Sequence, residues 1–247
     1  MKSIVIIGAT SSIAEHCARL WVTEPVRLLL IGRNQNKLNI ISHDLKVRSP
    51  SSEIEIIVNE LISVEAIKEI MTCVSSLSQH IDTVLIAHGV LPDQEHCQSE
   101  IIACRESLEI NALSPVLILE AFANIMHAKN GGNIAIIGSV AGDRGRRSNY
   151  IYGAAKGMIE KYVQGMQHRF ANTDLHISLI KPGPTDTPMT MHLKSSKLKF
   201  ANVDLVAKEI VSGIEKNKRI IYTPKKWKYL MLIIKSIPFF IFKNMNI

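Results

Sequence analysis

The sequence has few cysteines, no metal-ligand motif and no long hydrophobic run. Its four cysteines are scattered over 247 residues without a CxxC spacing, which argues against a disulfide framework and indicates a reducing compartment. His96, Cys97 and Cys104 do not have the spacing of a metal site, so the sequence predicts none. The first apolar run, residues 4–7, is too short for the core of a signal peptide. We therefore expect a cytoplasmic protein.

Acidic residues are absent from the last 32 positions, which carry eight basic side chains. The other 215 residues carry 21 basic and 22 acidic side chains, so the net charge of +7 originates in the C-terminal segment. A nucleic-acid-binding protein would present basic patches elsewhere as well. This distribution therefore argues against nucleic acid as a partner.

Aromatic residues make up only 5% of the chain, whereas hydrophobic residues make up 47%. A mainly aliphatic core is typical of a parallel sheet that is buried on both faces. Short apolar runs alternate with segments of helical spacing, which predicts an α/β fold: a doubly wound parallel sheet of about seven strands with helices on both faces, or Rossmann fold. Predicted strands cover 3–8, 26–32, 53–58, 82–87, 132–138, 175–180 and 219–223; predicted helices cover roughly 12–22, 35–48, 63–78, 104–129, 150–172 and 203–216. We expect one catalytic domain over 1–223, followed by a basic amphipathic segment over 224–247.

A glycine turn follows the first predicted strand, in the segment GATSSIAEHCARL. In a doubly wound fold this turn binds the pyrophosphate of a dinucleotide, because backbone N–H groups and the positive end of a helix face the anion. Ser12 and Ala14 stand where a complete motif has its second and third glycines, so an ordinary strand–helix turn is the alternative. Hydroxyl groups that can act as donors or as a helix cap partly offset the loss. The predicted cofactor-binding residues of the turn are Gly8, Thr10, Ser11, Ser12 and Ile13.

No acidic residue follows the second predicted strand, which ends Gly32-Arg33-Asn34. Enzymes that use NAD normally place Asp or Glu here, where the carboxylate binds the adenosine ribose hydroxyls. Arg33 can instead bind the 2′-phosphate of NADP or stack beside the adenine. The sequence therefore favours NADP(H), with NAD(H) still open. The alternative for Arg33 is a solvated arginine at the start of a loop.

Ser139, Tyr152 and Lys156 form the reactive pattern of the sequence. Tyr152 and Lys156 are four residues apart and share a helix face, whereas Tyr150 lies on a different part of the turn. A free tyrosine has a pKa of about 10, and a nearby positive charge lowers it. We therefore expect the Lys156 ammonium to lower the pKa of Tyr152 and to tune the phenol for proton exchange with a carbonyl or alcohol oxygen.

With this S-x12-Y-x3-K spacing after a Rossmann start, the sequence resembles the short-chain dehydrogenase/reductase family over nearly its whole length. Asn111 in EINALSP and the Pro-Gly of KPGPTDTPMT agree with the resemblance. The resemblance implies that Tyr152 protonates the substrate oxygen while a nicotinamide delivers hydride, and that Ser139 hydrogen-bonds the same oxygen. It further implies that Lys156 lowers the tyrosine pKa and holds the nicotinamide ribose, while Asn111 supports a proton relay.

The same resemblance implies further cofactor contacts and an assembly. An acidic residue contacts the adenine, a glycine turn lines the cofactor, and the loop after Pro-Gly faces the nicotinamide amide and the phosphates. Family members usually form dimers or tetramers, so a homo-oligomer is expected. The residues implied at these positions are Glu60, Leu61, Ala87, Gly89, Pro182, Gly183, Thr185 and Thr187.

Two departures from the family pattern point to one branch. The usual Asn-Asn-Ala-Gly after the fourth strand is Ile86-Ala87-His88-Gly89, and the glycine turn is altered. With AGDRGRR at 141–147, the sequence resembles the reductase subunits of decaprenylphosphoryl-ribose 2′-epimerases. That resemblance implies reduction of a 2-keto sugar on a polyprenyl phosphate, after a flavin-dependent oxidase partner has made the ketone. Two alternatives stay open: a soluble reductase of acyl, steroid or small ketones, and a non-catalytic dinucleotide-binding protein.

Three arginines, Arg144, Arg146 and Arg147, lie between Ser139 and Tyr152. Guanidinium groups near a substrate mouth suit a phosphate or a phosphodiester, so the sequence predicts that they bind substrate. The alternative is a solvated surface loop.

The C-terminal segment has apolar residues at helical spacing, flanked by lysines. The apolar positions begin at Trp227 and recur at Leu230, Met231 and Ile234, and Pro238 interrupts the pattern. Its apolar runs are far shorter than the ~20 residues that span a bilayer. This pattern predicts a segment that lies in the interface of an anionic membrane, at its inner face. The alternative is a helix packed over the substrate pocket or against another subunit.

Overall fold

Seven parallel strands form one sheet in the computed structural model, which describes residues 1–77, 80–129, 131–193 and 199–245 of the chain. The strands are β1 (Lys2–Ile7), β2 (Val26–Gly32), β3 (Glu53–Val58), β4 (Thr83–Ile86), β5 (Gly132–Ile137), β6 (Leu175–Pro182) and β7 (Ile220–Thr223). Their order in the sheet is β3-β2-β1-β4-β5-β6-β7. The fold predicted from the alternation of apolar runs and helices is therefore confirmed.

Helices connect the strands and cover both faces of the sheet. They are α1 (Ser12–Trp21), α2 (Gln35–Arg48), α3 (Val64–Leu77), α4 (Gln94–Ser99), α5 (Ile101–Leu108), α6 (Ser114–Ala128), α7 (Tyr150–Arg169), α8 (Val203–Glu215), α9 (Lys226–Ser236) and α10 (Phe239–Phe242). A π-helical turn, Glu109–Leu113, joins α5 to α6 into one continuous helix. This helix begins three residues before its predicted start at 104, and the short α4 was not predicted. Predicted residue 78 of the third helix lies outside the described ranges.

The core has two layers, because successive side chains of each strand point to opposite faces of the sheet. On β1, Val5 and Ile7 belong to the layer that contains Phe122 of α6, whereas Ile4 and Ile6 belong to the opposite layer. Every one of these side chains is almost completely buried. The aliphatic composition of the chain thus reflects a sheet covered on both sides.

Among the described residues, one helix, Ile101–Ala128, is long and apolar enough to cross a membrane by length and composition alone. Half of its most apolar 18-residue stretch is buried inside the fold. Ile118, Leu119 and Phe122 of this helix belong to the first core layer. Its hydropathy is therefore accounted for by packing against the sheet.

The order of the sheet reverses at β1, whose neighbours are β2 and β4. Ligands of open α/β sheets bind in the crevice at this switch point, beyond the carboxyl ends of the strands. Gly8 ends β1 there with a φ of +76°, and a Cβ atom on it would lie 2.5 Å from the backbone nitrogen of His88. Only glycine allows the loops after β1 and β4 to approach so closely.

Candidate active site

A cleft of about 490 Å³ lies at the carboxyl ends of the strands. It collects residues from the loops after β1, β2, β3 and β4 and from the loop after β6. Eleven residues predicted to bind the cofactor line this cleft: Gly8, Thr10, Ser11, Ser12, Ile13, Arg33, Glu60, Leu61, Ala87, Gly89 and Thr187. Residues that are distant in sequence thus meet in one pocket of suitable size for a small molecule.

The glycine turn leaves the start of α1 open to the cleft. Ser11 occupies the N-cap position, yet within the described chain its side chain makes no capping hydrogen bond. Its backbone nitrogen donates to the oxygen of Gly8 at 2.9 Å, which closes the turn. Because no side-chain cap occupies the first turn of α1, its N–H groups and positive dipole suit a pyrophosphate. The residues of this turn therefore fit a dinucleotide.

Two exposed cations line the cleft beyond the end of β2. Arg33 follows the strand directly, and Lys37 lies in the first turn of α2. Asn34 caps this helix by accepting a hydrogen bond from the backbone nitrogen of Lys37 at 2.9 Å. Arg33 was predicted from the sequence and Lys37 was not, although the position of Lys37 one helical turn after Arg33 was a usable signal.

Ser139 and Tyr152 meet at the loop that follows β5. The Ser139 hydroxyl is close enough to the Tyr152 phenol to lower its pKa. The Ser139 oxygen accepts a hydrogen bond from the backbone nitrogen of Ala141 at 3.1 Å. A Cβ atom on Gly142 would lie 2.7 Å from the carbonyl carbon of Lys156. The loop after β5 is therefore pressed against α7, which carries both Tyr152 and Lys156.

The Lys156 ammonium is buried and donates to the carbonyl oxygen of Ile137 at 3.0 Å. Its nitrogen lies 5.6 Å from the centroid of the Tyr152 ring. Burial lowers the pKa of Lys156 to about 8, because a charged ammonium loses its hydration in the fold. The lysine thus adjoins the tyrosine, but its hydrogen bond is to the backbone.

The expected lowering of the Tyr152 pKa is wrong for the protein's own groups. Burial raises the pKa of Tyr152 to about 12, and the hydrogen bond from Ser139 only partly opposes that shift. Loss of hydration disfavours the charged phenolate. As a result the phenol keeps its proton at neutral pH, which suits a proton donor.

Asn111 lies in the π-helical turn and is completely buried. Its side-chain oxygen accepts a hydrogen bond from the backbone nitrogen of Val90 at 2.9 Å. A Cβ atom on Gly89 would lie 2.9 Å from that oxygen and 3.6 Å from the Lys156 nitrogen. Gly89 therefore connects the cleft to both residues. The π-helical turn that carries Asn111 interrupts an α-helix, and such interruptions are frequent at functional sites.

The loop after β6 contributes less to the cleft than the resemblance implied. Of its four predicted residues, only Thr187 lines the cleft. The indole of Trp227 covers Gly183, since a Cβ atom there would lie 2.0 Å from the indole nitrogen. The hydroxyl of Thr185 donates to the oxygen of Gly183 at 2.9 Å. Pro182, at the end of β6, is likewise outside the cleft lining.

The three arginines of the 141–147 loop have different environments. Arg144 donates hydrogen bonds to the carbonyl oxygens of Ile234, at 2.5 Å, and Ile237, at 2.7 Å. These carbonyl groups at the end of α9 need donors, so the Arg144 guanidinium holds the C-terminal segment instead of facing a substrate. Arg147 is exposed. Arg146 is partly buried, and its Nε has no hydrogen-bond partner among the described residues.

A buried ionic network that was not predicted from the sequence holds the loops together. The Lys181 ammonium, at the end of β6, pairs with Asp143 and, at 2.8 Å, with Glu160. The hydroxyl of Tyr222 donates to the other oxygen of Asp143 at 3.0 Å. Burial opposes the charge of Lys181, but the hydrogen bonds to the two carboxylates prevail and raise its pKa. A lysine directly before Pro-Gly, at the end of a buried strand, was the available signal.

Comparisons with known proteins agree with this geometry. A family model described as short chain dehydrogenase matches residues 2–198. An uncharacterized oxidoreductase of Staphylococcus epidermidis is 24% identical over 213 residues, 86% of this chain and 90% of that protein. One from Staphylococcus aureus strain N315 is 23% identical over 219 residues, 89% of this chain and 93% of that protein.

Solved structures share the fold at lower identity. A short-chain dehydrogenase from Sphingobium yanoikuyae in complex with NADPH superposes with a TM-score of 0.83 at 18% identity, covering 97% of both chains. Levodione reductase superposes with a TM-score of 0.83 at 17% identity, covering 90% of this chain and 95% of the other. Since the family model covers most of the sequence, this chain belongs to the short-chain dehydrogenase family of NAD(P)-dependent oxidoreductases.

Proposed function

We propose that this protein reduces a ketone with NADP(H), using Tyr152 as the proton donor. The observation that carries the proposal is that the Ser139 hydroxyl acts on the Tyr152 phenol while the buried Lys156 nitrogen lies 5.6 Å from the centroid of its ring. When bound, the nicotinamide supplies the hydride. Ser139 holds the substrate oxygen, the Tyr152 hydroxyl gives its proton to that oxygen, and Lys156 and Asn111 organise the site around Gly89. A protonated phenol with a raised pKa supports the direction of reduction.

The choice of NADP(H) is supported by the two cations beyond β2. Arg33 and Lys37 both line the cleft, where a 2′-phosphate would gain charge-assisted hydrogen bonds. In NAD-dependent relatives of this fold a carboxylate takes this place, and the chain has Gly32 and Arg33 there. The bound NADPH of the Sphingobium enzyme is a further reason to extend the same cofactor to this chain.

We also propose a substrate that carries a phosphate, namely a 2-keto sugar linked to a polyprenyl phosphate. Arg146 supports this substrate, because a partly buried guanidinium without a partner for its Nε suits an incoming anion. Burial lowers the pKa of Arg146, so a bound phosphate would relieve the cost of its burial. The 2-keto group of such a sugar forms when the alcohol at the same carbon is oxidised. We therefore propose a flavin-dependent oxidase as the partner that makes the ketone.

The test follows NADPH consumption with two ketones, one carrying a prenyl phosphate and one without phosphate. We expect turnover with NADPH, and we expect Arg146→Gln to raise KM for the phosphate-bearing ketone about 10- to 100-fold, the range of a hydrogen bond to a charged group. The exposed Arg147→Gln serves as the matched control. An equal effect of Arg146→Gln on both ketones would support the soluble ketone reductase instead. No turnover with any ketone would support a non-catalytic dinucleotide-binding protein.

We further propose that the C-terminal segment docks on an anionic membrane surface with the side that faces away from the fold. Trp227, Met231 and Arg144 attach the inner side, so packing on the body and membrane contact use different sides of the segment. Five lysines around the outer side are exposed: Lys225, Lys226, Lys228, Lys235 and Lys243. The exposed apolar residues of that side are Tyr229, Leu230, Leu232, Ile233, Phe239, Phe240 and Ile241. A basic rim around apolar side chains matches an anionic lipid interface.

Sedimentation with vesicles tests this docking without removing the segment, whose deletion would also uncover Gly183 and Arg144. We expect wild-type protein to pellet with anionic but not with neutral phospholipid vesicles. The double variant Phe239→Ser/Phe240→Ser should lower partitioning at least about tenfold, because it removes two exposed phenyl groups that the membrane would bury. The exposed pair Ile101→Ser/Ile102→Ser on α5 is the matched control. A different result would identify the segment as a subunit interface instead. In that case the wild type binds no vesicles and elutes as a dimer in gel filtration, and the double variant elutes as a monomer.

A further inference from the structure

His88 lies in the loop after β4 and lines the cleft. Its ring Nε2 is 2.9 Å from the hydroxyl oxygen of Ser114 at the start of α6. The Ser114 hydroxyl in turn donates to the carbonyl oxygen of Leu61. Because a hydroxyl has one hydrogen and Leu61 receives it, Ser114 can only accept from His88. The proton of the neutral ring therefore sits on Nε2, and Nδ1 carries a lone pair.

The Nδ1 atom of His88 is buried and has no hydrogen-bond partner in the described part of the chain. A buried acceptor without a hydrogen-bond partner destabilises the fold. Protonation does not relieve this cost, since burial and the charge of Lys156 lower the pKa of His88 to about 3. The ring stays neutral at physiological pH, so Nδ1 needs a donor from outside the described protein.

The dinucleotide offers only a few donors, because its phosphates accept hydrogen bonds and do not give them. His88 stands between two parts of the cleft. Its backbone packs on Gly8 of the glycine turn, while its side chain reaches Leu61 through Ser114. Under the proposed cofactor function, the turn holds pyrophosphate and Leu61 lies toward the base. In a nucleotide the ribose connects those two groups, so ribose hydroxyls come nearest to His88.

We propose that His88 Nδ1 accepts a hydrogen bond from a ribose hydroxyl of the bound NADP(H), which makes His88 a positioning residue for the cofactor. The chain from Leu61 through Ser114 to His88 keeps the lone pair available, whatever the pH of the cell. The inference rests on the proposed cofactor function and adds a side chain to it.

The experiment compares two amide substitutions of His88 by titrating NADPH fluorescence without a substrate. An asparagine side chain places its amide near the Nδ1 position, whereas a glutamine side chain places it near Nε2. We expect His88→Gln to raise the Kd for NADPH about 3- to 10-fold, as for a neutral hydrogen bond. We expect His88→Asn to stay within about twofold of wild type. Thermal unfolding of both variants provides a measure of their folding.

Two results would overturn the role of His88: a wild-type Kd in His88→Gln, or equal weakening in both variants. Should His88→Gln not fold, ¹⁵N NMR of the wild-type ring gives the answer, because the unprotonated Nδ1 resonance must shift when NADPH binds. An unchanged resonance would contradict the proposal. Wild-type protein that binds no NADPH would instead overturn the cofactor function itself.

Discussion

Tyr152→Phe is expected to lower kcat for ketone reduction by about 100- to 10,000-fold, the contribution of a positioned general acid. The substitution removes the hydroxyl on which Ser139 acts and keeps the ring that lies beside Lys156. NADPH affinity should stay nearly unchanged, since the lost group acts on the substrate oxygen. The measurement combines steady-state NADPH oxidation with a cofactor titration of the same variant.

Tyr150→Phe is the matched control, because Tyr150 is an exposed tyrosine two residues earlier on the same helix. It should leave kcat unchanged. Turnover in Tyr152→Phe near that of the wild type, or loss of turnover in Tyr150→Phe, would contradict the assigned proton donor.

The pH dependence of the two reaction directions follows from the raised pKa of Tyr152, about 12. A phenol donates its proton only in the neutral form, which dominates below its pKa. Reduction should therefore show no decline from the titration of Tyr152 between about pH 6 and 9. The reverse oxidation needs the phenolate as the base, so its rate should rise about tenfold per pH unit below about pH 8, where Lys156 keeps its charge.

Lys181→Met is expected to lower the free energy of unfolding by about 3–5 kcal/mol, the usual loss when one member of a buried ion pair is removed. The carboxylate of Asp143 is fully buried and would lose its cation. Turnover should fall as well, since Lys181 ties together the loop after β5, the end of β6 and α7. Urea unfolding measures the stability change.

Two comparisons isolate the charge effect at Lys181. The double variant Lys181→Met/Asp143→Leu should regain part of the lost stability, because it removes the fully buried carboxylate and leaves only Glu160 without its cation. Arg27→Met breaks the exposed pair with Glu53, whose atoms are 2.7 Å apart, and should cause a much smaller loss. A Lys181→Met variant as stable as Arg27→Met would show that the network contributes little.

The sequence by itself determined the fold and the positions of the reactive groups along the chain. Apolar runs alternating with helical segments were enough to predict a doubly wound sheet, because each element must bury its apolar face against its neighbours. The spacing of Tyr152 and Lys156 depends only on the period of one helix, and the position of Gly8 depends only on the end of one strand. The period of a helix or strand, which can be read from the local sequence, is enough to predict these positions.

Tertiary structure alone decided how those groups behave. The pKa of Tyr152 rises because of burial, and burial depends on loops that approach α7 from elsewhere in the chain. Arg144 finds its partners on α9, some 90 positions later, so its own segment gave no sign that it holds the tail. The lone pair of His88 is set by Ser114. Hydration and hydrogen-bond partners depend on which atoms become neighbours after folding, and a local pattern does not record those neighbours.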